Sequence, residues 1–415
     1  MNQKRIIVIG GGAAGMMAAL FAARAGAAVT LLERNEKLGK KVYITGKGRC
    51  NLTNAADMEE FQRNIFRNPR FMYAAFANLD NRGVMDLVEG LGTPVKVERG
   101  NRVFPVSDKA SDVIGALKRG LDRESVRVRL NTRVEGLTVE DGHCMGAKVE
   151  GGEALPADAV ILATGGLSYP STGSTGDGYR MAEDTGHAVT ETLPALVPIE
   201  TAESWPGVLT GLSLKNVRLS AWQTGGKKEK KLYSDMGEML FTHFGISGPL
   251  ALTLSSRLPG DLSGVRMEID LKPALDDQTL DARLLRDFKA MSRKQLISVM
   301  DGLAPHNLAE QLVKLAGLTP TVPVNGVTAQ QRAALLNVIK HVPLTPKALR
   351  DYNEAIITRG GVSVKDINPS TMESKRLPGL YFAGELIDVD AATGGFNLQI
   401  AWSTGALAGK SAAEA

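Results

Sequence analysis

Residues 5–15 read RIIVIGGGAAG, and this stretch decides the fold of the chain. Its first five residues form a short apolar, β-branched run, which predicts a buried strand. Gly10, Gly12 and Gly15 follow with the spacing G-x-G-x-x-G, and small helix-forming residues come next. A turn of this kind between a strand and a helix lets backbone N–H groups approach a pyrophosphate at the helix N-terminus. The stretch therefore predicts the opening of a Rossmann-like α/β domain.

An acidic residue farther along supports a nucleotide ligand for this turn. Residues 29–33 predict a second parallel strand, which completes a strand–helix–strand unit of roughly 30 residues. Glu33 ends that strand, where a carboxylate accepts hydrogen bonds from the adenosine ribose hydroxyls. The alternative is a glycine-rich turn without a ligand. Strand, spacing, helix and acid together favour the nucleotide.

The rest of the chain contains two more strands of the same kind and a stretch of different character. Residues 159–163 and 379–383 are apolar runs that lead into glycines. Between them, alternating and helical apolar patterns predict antiparallel strands and helices. We therefore predict an FAD-type first domain over 1–190, an insert over 191–355 with helices at about 276–320, and a return to the first domain over 356–415.

Composition bounds the class of protein. The chain has 415 residues, of which 43% are apolar, and a net charge of +4. A net charge this small does not by itself indicate a polyanionic partner such as RNA. Cys50 and Cys144 lack the spacing of a disulfide framework or metal site, and the five histidines show no ligand spacing. No charge-free apolar run approaches the ~20 residues of a membrane span. We expect a cytoplasmic enzyme with no metal and no membrane partner.

Two motifs near the C-terminus favour FAD over NAD. Residues 380–385 read LYFAGE and place Glu385 directly after a strand and a glycine, where flavoproteins use a carboxylate to bind the ribityl chain. Residues 394–399 read GGFNLQ and open a helix whose N-terminal dipole would stabilise negative charge on a reduced flavin. The alternative is that Gly394 and Gly395 form a tight turn without a ligand and that Glu385 is a solvated acid in a loop.

A third motif, GKKVYITGKGRCNLTN at residues 39–54, makes the chain recognisable. Together with further glycine motifs, it resembles the BaiN-like/RdsA-like NAD(P)/FAD-dependent oxidoreductases, a group also labelled aminoacetone oxidase family FAD-binding enzymes. The likeness covers nearly the whole chain, in order. The further motifs lie at residues 163–166, 173–178, 245–249, 360–362 and 384–397.

The resemblance implies an α/β fold in which a Rossmann-like FAD-binding domain is interrupted by an insert of a small β-barrel plus a helical bundle. It also implies FAD as cofactor and NAD(P)H as reductant. Only one G-x-G-x-x-G occurs, so the nicotinamide would be a transient co-substrate. The predicted FAD-binding residues are Gly10, Gly12, Ala13, Ala14, Gly15, Glu33, Arg34, Lys41, Gly48, Arg49, Cys50, Val134, Thr164, Gly165, Gly166, Gly384, Glu385, Asp388, Gly394, Gly395, Phe396, Asn397 and Leu398.

Cys50, Arg49 and Tyr169 are the three main candidates for catalysis and His243 is a further one, each with a structural alternative. Cys50 would donate a proton to carbon, with Arg49 beside it lowering the pKa of the thiol. A small buried cysteine in a crowded loop is the alternative for Cys50. Arg49 would bind an FAD phosphate or an anionic substrate, or be a solvated charge. Tyr169 follows a glycine turn and His243 precedes another, so each is either an acid near the substrate or structural.

The preferred function is NAD(P)H-dependent reduction of a carbon–carbon double bond conjugated to a carbonyl. Members of the family that the chain resembles reduce such a bond in an unsaturated 3-oxo bile acid or in a ribosomal RNA uridine. Of these two substrate classes, we place the small-molecule enone first. Ribosomal RNA is the alternative partner, with dihydrouridine as product. Arg63, Arg67 and Arg70 then form either an RNA-facing stripe or a solvated face. Two further alternatives are a flavin amine oxidase and an RNA-modifying or RNA-binding protein in which FAD is mostly structural.

Overall fold

The computed structural model describes residues 3–226 and 228–415, and the chain divides into two compact units. The first unit contains residues 1–195 and 352–415, and the second contains residues 196–351. These limits lie close to those predicted for the insert. Whether each unit folds by itself stays a prediction.

A parallel sheet of five strands forms the centre of the first unit, as the Rossmann-like pattern predicts. The strand that opens the chain, Arg5–Ile9, is the middle one, and Ile7 lies opposite Val160 on one side and Thr30 on the other. The strands of this sheet consist mostly of apolar residues, as expected for a parallel sheet whose faces are covered by helices. In spatial order the strands are Leu380–Phe382, Ala159–Leu162, Arg5–Ile9, Ala28–Leu32 and Arg127–Arg129.

The first and last long helices pack against each other at backbone distance. A Cβ atom added at Gly405 would lie 2.3 Å from the carbonyl oxygen of Ala14, and one at Gly409 would lie 2.1 Å from that of Ala18. Any larger residue at these positions would push the helices apart. The contact joins the helix of the glycine-rich turn, Ala13–Arg24, to the C-terminal helix, Phe396–Glu414.

Smaller elements surround this sheet. One antiparallel pair, Val189–Ala195 with Ile357–Val362, carries the chain out of the first unit and back into it. Two three-stranded antiparallel sheets consist of Thr53–Asn54, Arg102–Pro105 and Val95–Glu98, and of Val134–Glu140, His143–Val149 and Ala154–Pro156. The remaining α-helices of this unit are Lys40–Ile44, Met58–Asn64, Tyr73–Asn78, Asn81–Gly90, Ala110–Arg123 and Asp177–Asp184.

The second unit has its own apolar core beneath an antiparallel sheet of seven strands. In spatial order these are Val342–Leu344, Val265–Asp270, Ser213–Gln223, Lys230–Thr242, Gly245–Ser247, Ile199–Thr201 and Pro346–Leu349. The outermost two strands are not paired with each other in the described residues, so closure into the predicted barrel stays a prediction. A charged hairpin is predicted at residues 225–231, where Lys227 lies outside the described residues.

Helices form the rest of the second unit, in and beyond the region predicted for them. The helix Ala329–Lys340 begins with a capping box, in which the Thr328 side chain accepts from the Gln331 N–H and the Gln331 side chain accepts from the Thr328 N–H. The helices are Trp205–Val208, Gly248–Ser255, Asp277–Ala290, Leu296–Met300, His306–Leu315 and Ala329–Lys340.

Candidate functional site

A cavity of the first unit lies at the carboxyl ends of its parallel strands, with about 1340 Å³ of empty space open to solvent. Ligands of open α/β sheets bind at this edge. Many predicted FAD-binding residues line it, although their contact with FAD stays a prediction. These are Gly10, Gly12, Ala13, Ala14, Glu33, Arg34, Lys41, Val134, Thr164, Gly165, Glu385, Asn397 and Leu398.

The glycine-rich turn shapes one wall of the cavity. Gly10 has a φ of 106°, and Gly15 lies so close to it that an added Cβ would be 1.7 Å from the Gly10 carbonyl oxygen. Gly15 therefore packs the helix against the strand, and it does not line the cavity. At Gly12 an added Cβ would meet nothing within 4 Å, so this position faces open space in the cavity wall.

Glu33 is fixed beside this turn by three hydrogen bonds. Its Oε2 accepts from the Gly11 N–H at 2.7 Å, and its Oε1 accepts from the N–H and the side-chain Nδ2 of Asn35 at 2.8 and 2.7 Å. The residue is 7% exposed and lines the cavity. Each carboxylate oxygen has lone pairs for more than one donor, so Glu33 can also accept from a ribose diol.

A charged group lines the next part of the cavity. Arg34 and Arg133 converge on Asp177, with N–O distances of 3.2 and 3.1 Å. Burial alone would raise the pKa of Asp177, but the two guanidinium groups hold it below its ordinary value. Val134 follows Arg133 and is buried at the start of its strand. Sequence reasoning gave no role to Arg133 or Asp177. Asp177 lies in the glycine motif at residues 173–178, but the sequence does not reveal which charges pair with it.

Lys41 and Glu385 form an ion pair on the cavity wall. The Lys41 Nζ lies 2.6 Å from the Glu385 Oε2 and also donates to the hydroxyl of Ser168. The Ser168 Oγ donates to the Glu385 Oε1 at 2.8 Å, and the Thr358 N–H donates to the same oxygen at 2.8 Å. The ammonium is thus held in one place by groups from distant parts of the chain.

Ser168 is itself positioned by Thr358. The Thr358 Oγ1 accepts from the N–H groups of Leu167 and Ser168 at 2.7 and 3.1 Å. Ser168 is fully buried, and Thr358 is 2% exposed while lining the cavity. Neither was predicted as a site residue. A serine and a threonine without a motif give no sequence signal, and only the fold brings them to the lysine.

The C-terminal helix begins at the cavity, whereas the glycines before it pack against neighbouring groups. Asn397 and Leu398 line the cavity, and the Asn397 Oδ1 accepts from the Ala391 N–H at 2.9 Å. Gly394, Gly395 and Phe396 are not among the lining residues. Gly395 packs on the backbone of Thr53, and the Phe396 ring meets that of Phe61 edge to face at 4.8 Å.

The three catalytic candidates lie outside the lining of this cavity. Arg49 pairs with Glu98 and Asp108, and its guanidinium stacks 3.9 Å from the Phe104 ring centre. Cys50 is fully buried, and burial raises the pKa of its thiol to about 12, opposite to the lowering expected from a neighbouring arginine. Tyr169 is half-buried with a left-handed φ of 52°.

Other predicted residues also have packing or pairing roles away from the lining. Asp388 is 4% exposed and forms a two-pronged ion pair with Arg67 at 2.7 and 2.8 Å. Gly166 packs against Thr358, and Gly384 against Ala14. Gly48 is likewise absent from the lining residues. His243 belongs to the second unit, where it is exposed and its ring meets that of Phe244 edge to face.

The residues present fit FAD. Gly12 leaves room for a pyrophosphate at a helix N-terminus, and Glu33 provides the acceptor for a ribose diol. Thr164 and Gly165 line the same cavity at the end of the strand Ala159–Leu162. When bound there, FAD would be held by these residues along one continuous wall.

No group of three or more His, Cys, Asp or Glu side chains in the described part of the chain could hold a metal ion. No helix in residues 3–226 and 228–415 is both long and apolar enough to cross a membrane.

Comparison with known proteins identifies the family. The family model described as the HI0933-like protein Rossmann domain matches residues 4–411. The chain belongs to the HI0933-like family. The predicted resemblance, the Rossmann-type FAD-binding fold and FAD as cofactor are confirmed, and this HI0933-like chain is an FAD-dependent oxidoreductase.

Two curated relatives match over nearly their full length. The chain is 33% identical to a 3-dehydro-bile acid delta(4,6)-reductase of Clostridium scindens, over 99% of both proteins. It is 30% identical to a ribosomal RNA dihydrouridine synthase of Escherichia coli, over 96% of this chain and 95% of the relative. Both predicted substrate classes therefore occur among relatives of this HI0933-like protein.

Solved structures agree with the fold. A quinol–fumarate reductase superposes with a TM-score of 0.52 at 16% identity, covering 100% of this chain and 72% of that one. A 3-ketosteroid delta1-dehydrogenase from Sterolibacterium denitrificans gives a TM-score of 0.51 at 15% identity, with 100% of both chains covered. At these identities the likeness concerns the fold alone.

Proposed function

We propose that this chain reduces a carbon–carbon double bond conjugated to a carbonyl in a small-molecule enone, with NAD(P)H as the reductant. Bound FAD supplies the chemistry of hydride transfer. NAD(P)H would be a transient co-substrate of the FAD-loaded enzyme, because the sequence has one G-x-G-x-x-G and no second nucleotide-binding motif of that kind. The chain's own residues bind the two reactants in turn and stabilise charge on the substrate.

The Lys41 ammonium carries this proposal. An ammonium has three N–H bonds, and Lys41 directs two of them at Ser168 and Glu385, which leaves one for a ligand in the cavity. Addition of hydride to the β carbon of a conjugated double bond places negative charge on the carbonyl oxygen, and a proton from water, which can enter the open cavity, completes the reduction at the α carbon. A preorganised cationic donor stabilises that charge more than a solvated one, since it needs no reorganisation during the reaction.

An apolar enone of the steroid type is the preferred substrate. Apolar side chains such as Val42, Ile356 and Leu398 line the cavity beside the ion pair. An apolar wall with a few placed polar groups is typical of sites for small molecules. The relative named as a bile acid delta(4,6)-reductase, which matches over 99% of both chains, supports this class of substrate.

Uridine in ribosomal RNA is the second candidate, since uracil also has a double bond conjugated to a carbonyl. The relative named as a ribosomal RNA dihydrouridine synthase favours it. The predicted arginine stripe gives it less support, because Arg63 pairs with Glu59 and Arg67 pairs with Asp388. Arginines that already face carboxylates attract RNA phosphates weakly.

A product assay separates these candidates. The purified, FAD-loaded enzyme is incubated anaerobically with NADH or NADPH and either a 3-oxo-4,6-diene bile acid or unmodified ribosomal RNA. The proposal expects a mass gain of two hydrogens in the bile acid and no dihydrouridine in the RNA. Dihydrouridine in the RNA with an unchanged bile acid would transfer the proposal to the second candidate. If neither the bile acid nor the RNA is converted, both candidate functions are refuted.

A further inference from the structure

Ile356 lines the FAD cavity with much of its side chain uncovered. It is 37% exposed, whereas Val42 and Val134 in the same lining are 2% and 4% exposed. Its neighbours in the chain are buried as well, with Ala355 at 0% and Ile357 at 5%. An uncovered aliphatic side chain in a concave site gains free energy when an apolar ligand removes it from water. The surface of Ile356 is therefore available for contact with an apolar substrate.

The segment that carries Ile356 is fixed to the ion pair of Lys41. The Ile356 carbonyl oxygen lies 3.3 Å from the Oγ of Ser168, the hydroxyl that accepts from the Lys41 ammonium. Two residues farther along, the Thr358 N–H donates to the Oε1 of Glu385 at 2.8 Å. If the ammonium binds the carbonyl oxygen of an enone, the side chain of Ile356 lies beside the carbon skeleton next to that carbonyl.

The chemistry of an isoleucine restricts what can lie against it. The side chain has neither a donor nor an acceptor, so a polar group placed there would lose water without gaining a hydrogen bond. The edge of a uracil ring carries N–H and C=O groups. The ring fused to the enone ring of a steroid-type substrate carries mainly C–H groups, which gain free energy when they leave water. The contact therefore favours a fused carbon skeleton.

We propose that Ile356 is a specificity-determining residue, which packs against the ring fused to the enone ring and thereby selects polycyclic over monocyclic enones. This inference rests on the proposed function. Contact with a part of the substrate that does not react contributes binding energy and leaves the chemistry of the reacting atoms unchanged. Ile356 is thus expected to act on KM more than on kcat.

Two enones of different size test this role in the FAD-loaded enzyme. The 3-oxo-4,6-diene bile acid has fused rings, whereas 2-cyclohexenone has its conjugated carbonyl in a single ring. In Ile356→Ala we expect kcat/KM for the bile acid to fall about tenfold or more, mainly through a higher KM, since missing carbon atoms in an apolar pocket change discrimination by such factors. For 2-cyclohexenone we expect kcat/KM to be unchanged, because it lacks the ring that contacts the side chain.

Three further variants accompany this measurement. Ile356→Leu keeps the volume and the apolar surface, and it is expected to retain most of kcat/KM for the bile acid. Ile356→Val removes one carbon atom and gives a second measurement, with a smaller fall in the same direction, if Ile356→Ala folds poorly. Val97→Ala is the control, at an apolar position of the first unit that is 52% exposed and absent from the cavity lining, and it leaves the turnover of both enones unchanged.

The outcomes separate this inference from the proposed function. A fall of equal size for both enones, or no fall for the bile acid, would overturn the assignment of Ile356. Weaker FAD binding by Ile356→Ala would also overturn it, since the side chain would then contact the cofactor. Absence of bile acid turnover in the wild type would refute the proposed function and this inference with it, whereas wild-type turnover with an unaffected Ile356→Ala would refute this inference alone.

Discussion

The Nζ of Lys41 lies 2.6 Å from the Oε2 of Glu385, although 344 positions separate the two residues in the chain. Their side chains are 22% and 21% exposed, so solvent screens the pair only in part. The pair links the segment after the glycine-rich turn to the segment before the C-terminal helix. It therefore ties together the two ends of the chain that form the FAD cavity.

The role of Lys41 is tested by Lys41→Met. Removal of the ammonium leaves the carbonyl oxygen of the substrate without its cationic donor, and loss of one such donor typically costs ~10²–10³ in rate. We expect the rate constant for oxidation of the reduced enzyme by the enone to fall about a hundredfold, with FAD still bound. Stopped-flow absorbance of the flavin measures it.

Two control variants accompany this prediction. Lys41→Arg keeps the charge and is expected to retain part of the rate. Lys37→Met removes a neighbouring cation that stacks on the Tyr43 ring outside the cavity lining, and it is expected to leave the rate unchanged. A rate in Lys41→Met equal to that of the wild type would remove Lys41 from the mechanism.

Glu33→Gln is expected to weaken FAD binding. The carboxylate accepts from the Gly11 N–H and from two donors of Asn35, and an amide in its place would turn an NH₂ group toward one of those donors. We expect the dissociation constant for FAD to rise about tenfold or more, because hydrogen bonds to a charged group are worth roughly 1.5–3 kcal/mol. Fluorescence titration of the apoprotein measures this, with the exposed Glu36→Gln as control. Equal affinities for FAD would exclude Glu33 as a ribose ligand.

The glycine-rich turn predicts opposite outcomes for two alanine substitutions. In Gly15→Ala the new Cβ would lie 1.7 Å from the Gly10 carbonyl oxygen, so the helix must move and the protein loses stability, by about 1–3 kcal/mol or more. In Gly12→Ala the Cβ meets nothing within 4 Å, so the fold is kept while the methyl group occupies space meant for the pyrophosphate. Urea unfolding of the apoproteins and FAD titration distinguish them. A stable Gly15→Ala apoprotein would contradict the packing described for this turn.

Stability should depend on pH through His187. This residue is 4% exposed, its Nε2 lies 2.7 Å from the Ser374 Oγ, and burial lowers its pKa below the ordinary value of 6.5. In the unfolded chain it binds a proton near pH ~6.5, so below that pH the unfolded state holds more protons than the folded state. The free energy of unfolding then falls as the pH drops from 7.5 to 5.5, with a slope of at most ~1.4 kcal/mol per pH unit. His187→Gln should lose this part of the dependence. Identical pH dependence in both proteins would show that His187 does not contribute.

Much of the fold follows from local sequence patterns. The central strand, the glycine-rich turn and the helix after it are encoded within the first 26 residues, where β-branched residues, glycines and helix formers follow in order. The capping box at Thr328 is equally local, because its two partners lie three residues apart. Contacts of this range leave a readable signature since the residue types and their spacing are both constrained.

The candidate site was less predictable because its residues are distant in the sequence and come together only in the folded chain. Ser168 and Thr358 reach Lys41 through the tertiary structure and have no motif of their own. Arg49 stands in a recognisable motif, but Glu98 and Asp108 pair with it from distant segments. Cys50 is a second example. Complete burial raises the pKa of its thiol, and the sequence, which shows only the adjacent arginine, does not indicate that burial. Motifs locate a site, whereas charge partners and burial assign the roles within it.

The central claim is tested most directly by anaerobic double-mixing stopped flow. The FAD-loaded enzyme is first reduced by NADH or NADPH and is then mixed with a 3-oxo-4,6-diene bile acid, unmodified ribosomal RNA or oxygen; in a separate experiment the oxidised enzyme is mixed with an amine donor. The account predicts that the bile acid restores the oxidised flavin spectrum rapidly and in a 1:1 ratio, at a rate that Lys41→Met lowers. A flavin that NAD(P)H does not reduce, or that oxygen reoxidises rapidly while the bile acid and the RNA do not, would contradict the account and favour an oxidase.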